Sequence, residues 1–209
     1  MSVLIKICGL RTLDAVEVAL GAGADMVGFV FFTPSPRNVG YEAARVLGAR
    51  VRGRAQKVAL SVDASDEQLA ASIEALAPDL LQLHGHETPE RVVMVRARFG
   101  LPVMKALPIA ARADLSPIRL YDKVADRLIF DARAPREATR PGGLGKPFDW
   151  RLLENVNSDV PFMLSGGLDP NNVAEALRIT RAPIRSASFS LRPRHAISAT
   201  RRRGRWASG

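Results

Sequence analysis

The sequence is poor in cysteine, with one thiol, Cys8, among its 209 residues. A single cysteine excludes an intramolecular disulfide framework and is typical of proteins from a reducing compartment. No apolar run approaches the roughly 18 residues that a membrane-spanning helix needs. The first ten residues also lack the basic and then apolar pattern of a secretory signal. We therefore predict a cytoplasmic protein that does not cross a membrane.

Acidic residues are absent from the last 28 residues, which contain seven arginines. Residues 1–181 carry 23 basic and 21 acidic side chains, a net charge of only +2. The sequence pI of about 10.7 therefore reflects the C-terminal segment and not the chain as a whole. We predict a folded domain at residues 1–181 and a basic, Arg- and Ser-rich segment at residues 182–209, with disorder as one expected state of that segment.

Short apolar runs recur along the chain and predict parallel strands that are buried on both faces. They lie at residues 3–7, 26–31, 57–62, 80–83, 103–106, 127–130 and 161–164. Between them, apolar residues recur at three- and four-residue spacing, as in Leu13, Val16 and Leu20, which predicts amphipathic helices. The chain is therefore a repeated strand–helix unit.

Two architectures use such a repeat, the open doubly wound sheet and the closed barrel. A dinucleotide-binding sheet needs G-x-G-x-x-G after its first strand. Here the first strand runs into Cys8-Gly9-Leu10-Arg11, so that fingerprint is lacking. We predict an α/β protein with the (β/α)8 TIM barrel fold, whose active site lies at the C-terminal ends of the strands.

Four polar side chains follow predicted strands and are candidates for the barrel mouth: Cys8, Arg37, His84 and Asp131. A carboxylate directly after an apolar strand is costly to bury without a partner, which favours a functional Asp131. Cys8 as a small core residue and Arg37 as a solvated loop charge remain alternatives. His84 is interpreted as a hydrogen-bonding residue of the substrate site. No metal site is predicted, because His84 and His86 lack further ligands at metal spacing.

Two glycine clusters follow the last predicted strands. They are Gly142, Gly143 and Gly145 after the sixth strand, and Gly166 and Gly167 after the seventh. Glycine lets the backbone approach an anion closely, and a following helix offers free N–H groups. A phosphate site near the last strands is common on this fold. The clusters therefore predict phosphate binding, with simple turns as the alternative.

A thiol, a carboxylate and a phosphate cradle at one barrel mouth predict proton transfer on a sugar phosphate. The thiolate of Cys8 is suited to take a proton from carbon, and Asp131 is suited to protonate an oxygen. Such an isomerisation needs no cofactor, and no cofactor motif is predicted. The expected partner is a small-molecule substrate.

Several longer motifs occur in the order found in one enzyme family. They are Lys6-Ile7-Cys8-Gly9-Leu10, Gly28-Phe29-Val30-Phe31 with Ser35-Pro36-Arg37, Leu81-Gln82-Leu83-His84-Gly85, Asp131, Gly142-Gly143-Leu144-Gly145 with Phe148-Asp149-Trp150, and Ser165-Gly166-Gly167-Leu168-Asp169-Pro170-Asn171-Asn172-Val173. Over residues 3 to about 181 the chain resembles the phosphoribosylanthranilate isomerase family of tryptophan biosynthesis. The first motif and Q-L-H-G are the most diagnostic.

The resemblance implies an Amadori rearrangement of N-(5-phosphoribosyl)anthranilate to 1-(2-carboxyphenylamino)-1-deoxyribulose 5-phosphate. It implies that Asp131 is the general acid that opens the ribose ring and that Cys8 is the general base that removes the C2 proton. It further implies that Arg37 binds the anthranilate carboxylate, since a guanidinium fork suits a planar anion. The glycines of the two late loops would hold the phosphate.

The resemblance ends near residue 182. The family closes its barrel with a strand that reads roughly D-V-S-S-G-V-E, followed by a phosphate loop and a last helix, and none of these patterns occurs here. Because an abrupt change to Arg, Ser, Ala and Pro is typical of a GC-rich gene read out of frame, we interpret the C-terminus as aberrant. The eighth strand and helix are expected to be degenerate or missing, which would expose two sheet edges. A poor strand at residues 184–190 is the alternative.

Other functions remain open at this point. Within enzymes, the alternative is another sugar-phosphate barrel isomerase or epimerase. A different class is an inactive relative whose basic tail, with Arg201, Arg202, Arg203 and Trp206, binds nucleic acid. An accidental solvated tail is favoured over nucleic-acid binding. A monomer is favoured over an oligomer.

Overall fold

The structure is a computed structural model that describes residues 3–135, 137–138, 141–142 and 147–180, together with the backbone of residues 186–190. Its strands are β1 Leu4–Cys8, β2 Met26–Phe31, β3 Gln56–Ser61, β4 Leu80–Leu83, β5 Val103–Ile109, β6 Arg127–Ala132, β7 Phe162–Leu164 and β8 Ser186–Ser190. Its helices are α1 Leu13–Gly21, α2 Tyr41–Val51, α3 Asp66–Leu76, α4 Pro89–Phe99, α5 Ile118–Tyr121 and α6 Val173–Thr180, with short 3-10 helices at Arg112–Leu115 and Trp150–Leu153.

The seven strands β1 to β7 lie side by side in chain order, and each neighbouring pair is parallel. All seven predicted strands are confirmed, and the fold is that of a TIM-barrel-like protein. The prediction was too short at β5, which continues through Pro108 to Ile109. Proline cannot donate to a strand ladder and therefore reads as the end of a strand. Here Pro108 is exposed between the buried Leu107 and Ile109.

The helix starts follow from local side-chain chemistry. Ser65 and Gln68 form a capping box at α3, in which each side chain accepts a hydrogen bond from the other residue's backbone N–H. Thr88 caps α4 by accepting from the backbone N–H of Arg91, and Pro89 takes the first turn, where no N–H is needed. These caps fix where each helix begins after the preceding strand.

The core has two layers, because alternate residues of a barrel strand face the axis or the surrounding helices. The larger cluster lies between the sheet and the helices and includes Val27, Phe29, Leu81 and Phe130. The barrel interior holds a smaller cluster of Met26, Val58, Leu80, Met104, Ala106, Ile129 and Met163. A third buried cluster, of Cys8, Val30 and Leu60, joins residues from the C-terminal halves of β1, β2 and β3. The strand ends therefore carry Cys8 to the mouth of a filled barrel.

The backbone of β8 lies against β1. It pairs with β1 in parallel at five positions, from Leu4 with Ser186 to Cys8 with Ser190. It pairs with β7 at one position, Leu164 with Ala187. At these positions β1 does not present an unpaired edge, because backbone pairing does not need the family's side chains. Residues 191–209, where a last helix was expected to be degenerate or missing, lie outside the described residues.

None of the helices in the described part of the chain combines the length and the apolar character that crossing a membrane requires.

Candidate active site

A cavity opens at the C-terminal ends of the strands, as the barrel fold predicts. It is lined by Lys6, Cys8, Val30, Phe32, Ser35, Arg37, Leu60, Val62, Gln82, His84, Asp131, Pro141, Gly142 and Ser165. Four predicted side chains, those of Cys8, Arg37, His84 and Asp131, therefore meet around one space, together with Gly142. They come from four separate segments of the chain that the barrel brings together.

Cys8 is the last residue of β1 and is almost fully buried, with 4% of its surface exposed. It pairs in register with Gly28 of β2. A Cβ atom on Gly28 would lie 2.8 Å from the Cys8 Sγ atom, closer than real contacts allow. Glycine at position 28 therefore provides the space in which the thiol sits.

Arg37 lies in the loop after β2 and packs across the loop after β1. Gly9 has a positive φ of 86°, and a Cβ on it would lie 2.6 Å from the Arg37 Cδ atom. The loop is tied to its neighbour because Arg11 donates a hydrogen bond to the Pro36 carbonyl at 2.8 Å. The Ser35 hydroxyl accepts from the backbone N–H of Arg37 at 3.2 Å. These contacts hold the loop that places Arg37 at the cavity that Cys8 also lines.

Asp131 and His84 form a close pair of ionisable groups in the cavity. The His84 Nε2 and Asp131 Oδ2 atoms are 3.2 Å apart, and the side chains are 13% and 5% exposed. The second oxygen of Asp131 accepts from the backbone N–H of Ala132 at 3.0 Å. On its other side, the His84 Nδ1 atom lies 3.0 Å from the Gln82 side-chain nitrogen.

Gln82 was missed as a functional residue by the sequence analysis. It lies inside the apolar run Leu80–Leu83, which was interpreted only as a buried strand. Its residue surface is 1% exposed. The available signal was the presence of one amide in an otherwise apolar strand, since a buried amide needs a hydrogen-bond partner.

The late glycines approach Asp131 closely. A Cβ on Gly166 would lie 2.9 Å from the Asp131 Oδ1 atom, and a Cβ on Gly142 would collide with Oδ2. Gly166 and Gly167 both have positive φ values, 82° and 67°. Glycine at these positions therefore lets the loops after β6 and β7 pass beside the carboxylate. Gly143 and Gly145 lie outside the described residues.

A buried ion pair supports the loop that carries His84. The Lys105 Nζ atom lies 3.0 Å from the Glu87 Oε2 atom, with side chains that are only 2% and 3% exposed. Lys105 also donates to the Gly85 carbonyl at 2.8 Å. The Glu87 carboxylate in turn accepts from the backbone N–H groups of Asp63 and Gly85, each at 2.9 Å.

Tyr121 contacts both residues of this ion pair. Its hydroxyl donates to the Glu87 carbonyl at 2.9 Å, and the Lys105 Nζ atom lies 5.7 Å from its ring centroid. Burial raises the pKa of Tyr121, and the charge of Glu87 adds to the increase. The phenol therefore stays protonated, and its hydrogen bond to the Glu87 carbonyl helps to hold the loop at 84–87 in place.

Comparison with known proteins points to one family. The sequence pattern of N-(5'phosphoribosyl)anthranilate (PRA) isomerase matches residues 5–185. The N-(5'-phosphoribosyl)anthranilate isomerase of Nitrobacter winogradskyi is 63% identical over 182 residues, which cover 87% of this chain and 81% of that protein. The crystal structure of phosphoribosyl anthranilate isomerase from Thermotoga maritima superposes with a TM-score of 0.80 at 29% identity, covering 90% of this chain and 88% of that one.

A further solved structure contains a bound molecule. It is a phosphoribosyl anthranilate isomerase in complex with reduced 1-(o-carboxyphenylamino)-1-deoxyribulose 5-phosphate. It superposes with a TM-score of 0.77 at 26% identity and covers 90% of this chain and 87% of that one.

The fold and the cavity together are typical of a barrel enzyme, with a thiol, an imidazole, a carboxylate and a guanidinium at the mouth. The comparisons narrow this class to a single family. The chain belongs to the N-(5'-phosphoribosyl)anthranilate isomerase family, which consists of aldose–ketose isomerases of tryptophan biosynthesis.

Proposed function

We propose that this chain converts N-(5'-phosphoribosyl)anthranilate to 1-(2-carboxyphenylamino)-1-deoxyribulose 5-phosphate by an Amadori rearrangement. The observation that carries the proposal is the convergence of Cys8, Arg37 and Asp131 on one cavity at the barrel mouth. Family membership supports the substrate, and a relative binds a reduced form of the product.

Asp131 acts as the general acid in this proposal. It gives a proton to the ring oxygen of the ribose, the bond between that oxygen and C1 breaks, and a Schiff base forms between C1 and the anthranilate nitrogen. The carboxylate that remains accepts hydrogen bonds from Ala132 and from His84. Such a positioned group typically contributes about 10²- to 10⁴-fold to a rate.

Cys8 acts as the general base in the second step. Its thiolate removes the proton from C2, which yields an enol-amine, and return of a proton to C1 with loss of the C2 hydroxyl proton gives the ketone. The position of Cys8 across the same cavity from Asp131 supports this division of labour, because the two steps act on neighbouring carbon atoms of one sugar.

Phosphate binding is assigned to the glycine loops, with His84 and Gly142 among the substrate-binding residues. Gly166 and Gly167 precede α6, where the Asn172 side chain donates to the Gly167 carbonyl at 2.9 Å and fixes the turn. Backbone N–H groups ahead of a helix suit an anion. Gly143 and Gly145 complete the proposed site.

A direct assay tests the proposal. Purified protein is mixed with N-(5'-phosphoribosyl)anthranilate, and the ketose product, which has the same mass as the substrate, is separated from it by chromatography and identified by NMR. Formation of the ketose product that saturates with substrate is the expected result. Turnover of a different sugar phosphate with no turnover of this one would contradict the proposal.

Arg37 is proposed to bind the anthranilate carboxylate. Arg37→Ala is expected to raise KM by about 10-fold or more with a small change in kcat, because a hydrogen bond to a charged group contributes about 1.5–3 kcal/mol. Arg37→Lys keeps the charge but loses the planar fork of the guanidinium. Its KM should therefore lie between that of the unmodified protein and that of Arg37→Ala. Arg45→Ala, an exposed arginine on α2, is the control. A lower kcat with unchanged KM would assign Arg37 a different role.

The eighth unit of the barrel is proposed to be degenerate, with a barrel domain at 1–181 followed by a basic segment at 182–209 of which the β8 backbone pairs with the sheet. The single pairing of β8 with β7 and the end of the family match at residue 185 support this. The missing phosphate loop would remove charged hydrogen bonds to the substrate.

Replacement of residues 182–209 by the corresponding segment of the Nitrobacter winogradskyi relative tests the degenerate unit. The chimera is expected to unfold at a higher temperature and to gain about 10-fold or more in kcat/KM, the value of one charged hydrogen bond. A chimera that carries a scrambled version of the graft controls for length and charge. Equal stability and kcat/KM in the chimera and the parent chain would contradict the proposal.

A further inference from the structure

Gln82 is a buried amide with a direct contact to a residue of the cavity. It lies in β4 between Leu81 and Leu83, which are both almost fully buried, and it lines the same cavity as Lys6 and Cys8. Burying an amide in an apolar strand is costly unless it makes a hydrogen bond. Its side-chain nitrogen makes one, to the His84 Nδ1 atom at 3.0 Å.

This contact decides which nitrogen of His84 carries the proton. An amide NH2 group can only donate, so the Nδ1 atom must accept, and the proton of a neutral imidazole then sits on Nε2. The Nε2 atom faces the Asp131 Oδ2 atom at 3.2 Å. An Nε2–H group can donate to a carboxylate. In the series of contacts Gln82–His84–Asp131, each contact therefore pairs one donor with one acceptor.

The reversed amide is less favourable. It would turn the Gln82 oxygen toward Nδ1, place the imidazole proton there and leave a lone pair on Nε2 opposite the oxygen of Asp131. Two acceptors then face each other whenever Asp131 is ionised. In the observed orientation one acceptor, the Gln82 Oε1 atom, is without a partner in the described part of the chain, whereas reversal would leave two N–H donors in its place.

We propose that Gln82 is a positioning residue that fixes His84 in its Nε2–H tautomer, so that His84 donates a hydrogen bond to the carboxylate of Asp131. The consequence for turnover rests on the proposed function. When Asp131 gives up its proton it becomes negatively charged, and the Nε2–H group stabilises that charge as it develops. Gln82 acts through His84 and does not itself need to touch the sugar.

Nitrogen-15 NMR of the full chain reads the tautomer directly. The chain has three histidines, and the signals of His84 are identified by their loss in His84→Asn. At about pH 8, above the usual imidazole range, the free protein is expected to show a protonated Nε2 and an unprotonated Nδ1 at His84. A protonated Nδ1 in the unmodified protein would overturn the proposal without any Gln82 variant.

Two substitutions of Gln82 distinguish an effect on the His84 tautomer from an effect on side-chain packing. Gln82→Met fills the same space without a donor and is expected to give a mixture of both tautomers and to lower kcat by about 10-fold, with KM little changed. Gln82→Glu offers an acceptor to Nδ1 and is expected to move the proton there or to protonate both nitrogens, with a larger loss of kcat. Ser61→Ala, which removes a buried hydroxyl from β3, is the matched control and should leave the spectrum of His84 unchanged.

The outcomes distinguish this proposal from the proposed function. If Gln82→Met keeps the Nε2–H tautomer and full kcat, Gln82 does not set the tautomer, whatever the substrate is. If the tautomer shifts as expected in a chain that does not turn over N-(5'-phosphoribosyl)anthranilate, the positioning role stands and the proposed function fails. Equal losses of kcat in the Met and Glu variants with an unchanged His84 spectrum would indicate packing alone and overturn the proposal.

Discussion

Asp131→Asn is expected to lower kcat by about 10²- to 10⁴-fold, the range that a general acid contributes. Asparagine keeps the size of the side chain and its bond to the Ala132 N–H group, but it has no proton to give to the ring oxygen. The loss should therefore appear in kcat much more than in KM. Steady-state kinetics with N-(5'-phosphoribosyl)anthranilate measure both constants.

Cys8→Ser is the companion to this substitution. A hydroxyl fits the space beside Gly28 but is a far weaker acid than a thiol, so kcat should again fall by about 10²-fold or more. Asp14→Asn changes an exposed carboxyl at the start of α1 and should leave both constants unchanged. Near-normal kcat in either Asp131→Asn or Cys8→Ser would remove that residue from its proposed role, provided that the thermal unfolding midpoint shows a folded protein.

The strands were predictable because a barrel strand is buried on both faces. In β4 all four residues are buried, and three of them, Leu80, Leu81 and Leu83, are apolar. The convergence of Cys8, His84 and Asp131 was predictable for a related reason, since parallel strands in a barrel bring all their C-terminal ends to one mouth. A local pattern and one rule of topology are sufficient for this part of the site.

Gln82 was less accessible to sequence reasoning. Whether a polar residue in a strand faces the barrel interior or the helices depends on the tilt and register of all the strands, which no local pattern contains. The contact also requires that Gln82 and His84, both at the C-terminal end of β4, lie on the same face of the sheet. Gln82 and His84 are two residues apart and have that period, but the apolar neighbours Leu81 and Leu83 gave the whole run the character of a core strand.

β8 is a strand whose sequence does not predict a strand. Its sequence, Ser-Ala-Ser-Phe-Ser, lacks the β-branched residues that predict a strand. Its pairing with β1 over five residues is made by backbone groups, which every non-proline residue offers. An edge strand with unpaired N–H and C=O groups can pair with such a segment even when the side chains of the segment contribute little.

The pair of Lys105 and Glu87 was also invisible to local patterns, because its partners lie in different structural units of the barrel. Lys105 belongs to β5, whereas Glu87 lies in the loop after β4. Glu87 alone reads as a surface charge, and nothing in the predicted strand at 103–106 identifies the partner of Lys105. Both side chains are buried only in the folded protein, where the loop after β4 meets β5.

Lys105→Met is expected to lower the free energy of unfolding by about 3–5 kcal/mol, because it leaves the carboxylate of Glu87 buried without its cation. The double variant Lys105→Met, Glu87→Gln should regain part of that loss, since the glutamine oxygen can still accept from a backbone N–H and no buried charge remains. Arg119→Met breaks an ion pair with Asp159 whose side chains are 62% and 64% exposed, and it should cost at most about 1 kcal/mol. Urea unfolding of the four proteins measures these differences. If Lys105→Met costs no more than Arg119→Met, the pair does not stabilise the loop that carries His84, and the backbone bonds of Glu87 must hold it alone.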